Sequence, residues 1–177
     1  VKNSNEGSIN LGSINLVPSS FDDILIGEID TNLAVKWAKL ITAFGASDSK
    51  HTTQTKNMDY INGSLYLSGM MKGGFAPYGE EEARIASKST PLNGFVIKCD
   101  ASNGEWLGGV SADEQGIGGY FGVAKGKENN LYAYGYSWAT PNKGICLTTI
   151  DESSWEKTEK IALITETGMG TAWSCLA

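Results

Sequence analysis

Two stretches far apart in this chain spell nearly the same strand. The segment "NGSLYLSG" at 62–69 returns as "NNLYAYG" at 129–135, with Leu65, Tyr66 and Gly69 opposite Leu131, Tyr132 and Gly135. A second element recurs three times: "ILIGEID" (24–30), "FVIKCD" (95–100) and "ICLTTID" (145–151) each close an apolar strand with Asp. A turn and a tryptophan follow each of them, reaching Trp37, Trp106 and Trp155. A chain that repeats strand, tight turn and strand in this way must assemble its core from several copies of one β unit.

Aligned on the Asp, the copies put Ile29, Cys99 and Ile150 in one column, Gly27, Ile97 and Thr148 in the next but one, and Leu25, Phe95 and Cys146 beyond. The intervening column holds Ile26, Val96 and Leu147. Both faces of the strand are therefore apolar, as in a sheet packed on each side. Upstream of the echoed strand lie "QTKNMDY" and "YFGVAK", joined to it by the short loops "ING" and "GKEN", which read as hairpins. The unit is expected to have four antiparallel strands, at about 54–60, 64–70, 94–100 and 105–110, and again at about 119–125, 130–137, 144–150 and 155–163. At the ends, "EGSINLGS" (6–13) reads as a second strand leading into 24–41, and "GTAWSCLA" (170–177) as a first strand. The whole chain is then one domain of about three units offset by one strand: 1–52 with 170–177, 53–110, and 119–164.

Composition agrees with an all-β domain. The 177 residues are 41% hydrophobic and 19% charged, enough for one core. Glycine is abundant at 22 residues, while runs with helical period are scarce. No apolar run reaches the roughly 18–20 residues of a membrane-spanning helix. The net charge of −6, with 14 scattered basic residues, speaks against nucleic acid as a partner. The chain opens on Val1 without a charged and then apolar leader, so it reads as a processed or excised piece of something larger. Cys99, Cys146 and Cys175 have no metal-ligand spacing, and their apolar columns mark them as buried free thiols.

Four-stranded antiparallel units buried on both faces are the blades of a β-propeller; a β-sandwich or open prism would use the same alternation without the repeat. Three units do not close a ring, so the chain is expected to be part of a larger six- to eight-bladed ring or half of a dimeric one. The Gly-rich "LYLSG" strand, the "FVIKCD" strand and the following Trp106 resemble the β-propeller repeats of bacterial secreted proteins, notably SBBP-type repeats and related lipoproteins of Bacteroidetes. That resemblance spans most of the chain and implies an extracytoplasmic location, in the periplasm or at the cell surface. It departs at Glu28 and Thr149, where the best-matching copy has Lys98.

In such an arrangement one set of connections is short and the other long, the long set including 42–53, 71–93, 111–119, 136–144 and 165–170. Long loops on a rigid scaffold are where binding concentrates. Phe75, Tyr78, Tyr136 and Trp138 are the candidate ligand-binding residues, an aromatic platform for a sugar ring or a peptide; the alternative is that the rings pack the loops down. Glu80, Glu81, Glu82 and Arg84 read as a solvated charged run that begins a short surface helix. Catalytic signals are thin. His51 is the single histidine, which excludes histidine pairs and histidine metal clusters. A carboxylate pair drawn from Glu82, Asp113 and Glu114 has no spacing to support it. No catalytic residue, metal or cofactor is assigned. The expected function is a non-enzymatic module binding carbohydrate or protein through the long-loop face, the alternatives being a propeller enzyme (glycosidase or lyase) completed by residues outside this chain, or a structural assembly domain.

Overall fold

A computed structural model describes residues 7–19, 23–44, 54–86, 92–112, 117–137 and 144–163. Among them every regular element is a strand: β1 (Ile9–Leu11), β2 (Ile14–Leu16), β3 (Ile24–Ile29), β4 (Val35–Phe44), β5 (Gln54–Ile61), β6 (Ser64–Met71), β7 (Gly74–Pro77), β8 (Ile85–Ala86), β9 (Asn93–Asp100), β10 (Trp106–Ser111), β11 (Ile117–Lys125), β12 (Asn130–Ser137), β13 (Gly144–Asp151) and β14 (Lys157–Leu163). All pairings are antiparallel. Sheet II is β5-β6-β9-β10 and sheet III is β11-β12-β13-β14, each four strands in chain order. These are the two central units expected from the repeat.

Sheet II lies between two neighbours. On one face Leu67, Met71, Phe95, Ile97 and Cys99 pack against Ile26, Ile41, Ala43, Phe75 and Ile85 of sheet I, which is built from β3, β4, β7 and β8. On the other, Tyr66, Val96 and Val110 pack against Tyr120, Val123, Leu131, Ala133, Cys146 and Ile150 of sheet III. The doubly apolar alternation read in 95–100 is thus used in full only in the middle sheet. Its counterparts in the outer sheets show one face each to solvent, with Ile29 at 60% exposure where Cys99 is fully buried. No closed ring forms among the described residues.

Sheet I differs from the expected first unit. It is ordered β3-β4-β7-β8, so the segment 71–93, expected as a long loop, instead folds back as β7 and adds to β4 with Phe44 opposite Gly74 and Ile41 opposite Pro77. The expected N-terminal strand at 6–13 is also replaced. Residues 9–16 spell "INLGSINL", and Gly12, at φ 63°, turns this segment back on itself so that Ile9 pairs with Leu16 and Leu11 with Ile14. A glycine free to take positive φ makes that two-residue reversal cheap. The run at Glu80–Arg84 forms no helix. It is a turn held by the bidentate Arg84–Glu80 pair and by the Arg84 amide donating to the Phe75 carbonyl. The expected first strand at 170–177 lies outside the described residues.

The recurring Asp has a local cause. Asp100 Oδ1 accepts from the Ser102 amide (2.7 Å) and hydroxyl (2.6 Å), Asp151 Oδ1 does the same with Ser153 (2.8 and 2.5 Å), and Asp30 Oδ1 accepts from the Asn32 and Ala34 amides (2.8 and 2.9 Å). Each carboxylate folds the turn that follows it. These bonds hold the Asp100 and Asp151 carboxyls below the ordinary value of 3.8. A carboxyl depressed in the folded state contributes stability that is present above its unfolded pKa and lost as pH falls through its folded one. The urea midpoint is therefore expected to decline on acidification below about pH 4, and Asp151→Asn to flatten that decline; an unchanged slope in the variant would count against this account of the turn.

The tryptophans, read as equivalent, are not. In sheet II the Gly104 amide donates to the Asp100 carbonyl, and in sheet III the Trp155 amide donates to the Asp151 carbonyl. Trp155 (φ 57°) therefore occupies the left-handed position that Gly104 (φ 72°) fills in the previous copy. Bulky residues rarely adopt that conformation. Here the indole lies on Gly108 of sheet II, where even a Cβ would overlap it, and Trp37 of sheet I lies on Gly104 in the same manner. Both rings seal sheet-to-sheet contacts from different points of the repeat.

The echoed glycines also have a backbone reason. A Cβ on Gly69 would run into the Gln54 carbonyl oxygen, and one on Gly135 into the Gly119 carbonyl oxygen, because each lies opposite an irregularity in the first strand of its sheet. Neither obstacle is a side chain that can rotate away. Gly135→Ala is expected to cost about 1–3 kcal/mol, the range for forcing an extra carbon into a filled site, read as a lower urea midpoint at unchanged slope.

Candidate functional site

The strand β12 reads Asn-Leu-Tyr-Ala-Tyr-Gly-Tyr-Ser and alternates strictly between half-buried and buried residues. Leu131 and Ala133 enter the core between sheets II and III. The period of two therefore sends Tyr132, Tyr134 and Tyr136 to the opposite face, away from sheet II. Across the ladder they stand beside Thr149, Leu147 and Ile145 of β13. Leu147 and Ile145 are 39% and 43% exposed, so this face is open to solvent.

Two of the three rings lie over glycine positions. A Cβ on Gly122 would stand 2.6–2.9 Å from Tyr134 Oη and ring carbons, and one on Gly126 would be 2.5 Å from the Tyr132 ring. Glycines in β11 and just after it leave the room that these two rings occupy. Neighbouring tyrosines on one strand face are about 7 Å apart, two strand rises. The positions of β12 and β13 that share this face are Asn130, Tyr132, Tyr134, Tyr136, Ile145, Leu147, Thr149 and Asp151, with Lys160 of β14 in register opposite Leu147.

The corresponding face of sheet II carries Tyr66, Ser68, Met70, Gly94, Val96 and Lys98 and is covered by sheet III. Tyr120 of sheet III sits on Gly94, where a Cβ would be 2.9 Å from its ring, and donates or accepts a 2.8 Å bond with Thr148 Oγ1. In sheet III the Gly94 position is Ile145 and the Ser68 position is Tyr134. The hollow that receives a neighbouring sheet in one copy is filled by side chains in the next.

Between sheets II and III lies the most enclosed charge cluster among the described residues. Glu152, whose side chain is 7% exposed, receives Lys98 Nζ at 3.0 Å on Oε1, the Tyr66 hydroxyl on the same oxygen and Lys125 Nζ on Oε2. Burial pushes the Tyr66 phenol up, which keeps it a neutral donor, and Lys98 lies 5.5 Å over its ring. Desolvation and the Lys98 charge push Lys125 down. All three donors converge on one carboxylate, so the cluster ties two sheets together instead of presenting an acid or a base to a substrate.

The four residues expected to form one platform are separated. Phe75 is fully buried between sheets I and II, its ring 5.0 Å from that of Phe95 at 63°. Tyr78 is half exposed and follows β7 back along sheet I, where it lines an open cleft of about 400 Å³ with Lys39, Arg84, Glu105 and Trp106. Tyr136 belongs to the tyrosine row of sheet III, with sheet II between it and Phe75. Trp138 lies outside the described residues, as do His51, Asp113, Glu114 and Cys175. Tyr132 and Tyr134 were missed as site residues because the echo of Leu65-Tyr66 in Leu131-Tyr132 marked that strand as scaffold; the signal that distinguishes them is tyrosine at three successive alternate positions.

Cys99 and Cys146 are buried and in no disulfide, and burial pushes the Cys99 thiol up to about 12. Among the described residues no group of His, Cys, Asp and Glu is placed to hold a metal ion, and no helix is long and apolar enough to cross a membrane. Compared with known proteins, the chain matches no family model, no curated protein and no solved structure.

Proposed function

We propose that this protein is a non-catalytic, extracytoplasmic β-propeller-type module that binds carbohydrate on the tyrosine face of sheet III. The observation that carries the reading is the row Tyr132, Tyr134 and Tyr136, two of whose rings occupy the space over glycines. A ring resting on a sheet offers an apolar surface to the C–H face of a sugar, while its hydroxyl and the neighbouring Asn130 and Thr149 offer polar edges. Half-burial also limits the side-chain entropy lost on binding. Titration calorimetry against a panel of neutral oligosaccharides tests it: binding that Tyr134→Ala abolishes and Tyr78→Ala leaves intact is expected, and binding indifferent to Tyr134 would sink the assignment.

A second reading, as an assembly domain, draws on the far face of sheet I, where Leu25 and Ile29 are 44% and 60% exposed. Light scattering on the purified chain decides it, since that reading requires a species heavier than one chain that Ile29→Glu disperses.

A further inference from the structure

Resting on the reading of sheet III as a carbohydrate site, we infer that its ligand is an extended, uncharged polysaccharide chain laid along β12 and spanning all three tyrosines. The row is linear because its members are alternate residues of a single strand, about 7 Å apart, so it matches a ligand that is itself linear and presents successive ring faces in one plane. A compact monosaccharide or a branched cap would touch one ring and leave the others idle.

Charge narrows the class. Phosphate, sulfate or carboxylate groups on a glycan need clustered Arg or Lys, and the β12 and β13 residues on this face are Asn, Tyr, Ile, Leu, Thr and Asp151, with Lys160 of β14 the single basic residue in register with them among the described strands of sheet III. Lys98 and Lys125 are committed to Glu152 on the opposite side of sheet III. The chain as a whole carries −6, which repels polyanions. A further sheet of this same repeat is disfavoured as occupant, because Ile145 takes the place of Gly94, the residue that leaves room for Tyr120 at the contact between sheets II and III.

The test is calorimetry of the full chain with cellobiose, cellohexaose, chitohexaose and hexagalacturonate. At least one neutral hexaose is expected to bind, with affinity about tenfold above its disaccharide and unchanged when salt is raised, and with hexagalacturonate at least about tenfold weaker. Tyr132→Ala and Tyr136→Ala should each reduce hexaose affinity by about tenfold while leaving disaccharide binding nearly unchanged, and Tyr134→Phe should restore what Tyr134→Ala loses. Circular dichroism on each variant separates loss of the site from loss of the fold. Equal affinity for disaccharide and hexaose, both dependent on Tyr134, would overturn the extended-chain inference and leave the carbohydrate reading standing. Hexagalacturonate binding as well as a neutral hexaose would overturn the neutral preference. Failure of every glycan to bind a folded protein would overturn both.

Discussion

Phe75→Ala is expected to lower the stability of this protein by about 3–5 kcal/mol, the range for removing a buried phenylalanine. The ring is fully buried, and its edge-to-face contact with Phe95 at 5.0 Å joins sheet I to sheet II. That contact adds about 0.5–1.5 kcal/mol beyond area alone. Because a domain of ordinary stability has only about 5–15 kcal/mol to lose, the variant should unfold at a markedly lower urea concentration with little change in slope. Tyr78→Ala, at a half-exposed position three residues on, should stay within about 1 kcal/mol. The contrast has a functional meaning. Two aromatic residues that lie together in the sequence serve different ends, and a loss below about 1 kcal/mol for Phe75→Ala would mean that the packing of β7 on sheet II is wrong.

The second large effect is expected at Glu152. Glu152→Gln keeps the shape and removes the charge, leaving Lys98 and Lys125 facing one another at 23% and 28% side-chain exposure. Breaking a buried pair costs about 3–5 kcal/mol; partial solvent access of both lysines places this case lower, at about 2–3 kcal/mol. Added salt should recover part of the loss by screening the remaining cations. The double variant with Lys98→Met should be less unstable than the two single losses predict, with a coupling of about 1–2 kcal/mol. Strict additivity would mean that the lysine and the carboxylate do not sense one another and that sheets II and III are held by their apolar contact alone.

Strand identity was legible because its signals are local. The period of two in 94–100 and 144–150, the Asn62-Gly63 hairpin turn and the Asp100 and Asp151 turns act over a few residues, and each appears where expected. The insertion at 71–93 was misread for the opposite reason. Four residues, Gly74–Pro77, are too short to announce a strand, and they become one only because β4 offers a free edge to pair with.

Carried by the sequence alone are the repeat, its antiparallel sheets, the Asp that folds each turn and the glycine at the end of each echoed strand. What a residue in the repeat does was decided by its place in the stack. Tyr66 and Tyr132 are the same letter in the same register, yet sheet III covers the first, at 2% exposure, while the second is half-buried on the face turned away from sheet II. Cys99 and Ile29 divide in the same way between core and surface. A strand determines which side chains share a face, since that follows from backbone geometry; whether the face is core or surface depends on a neighbour hydrogen-bonded elsewhere in the chain, and no local pattern encodes it.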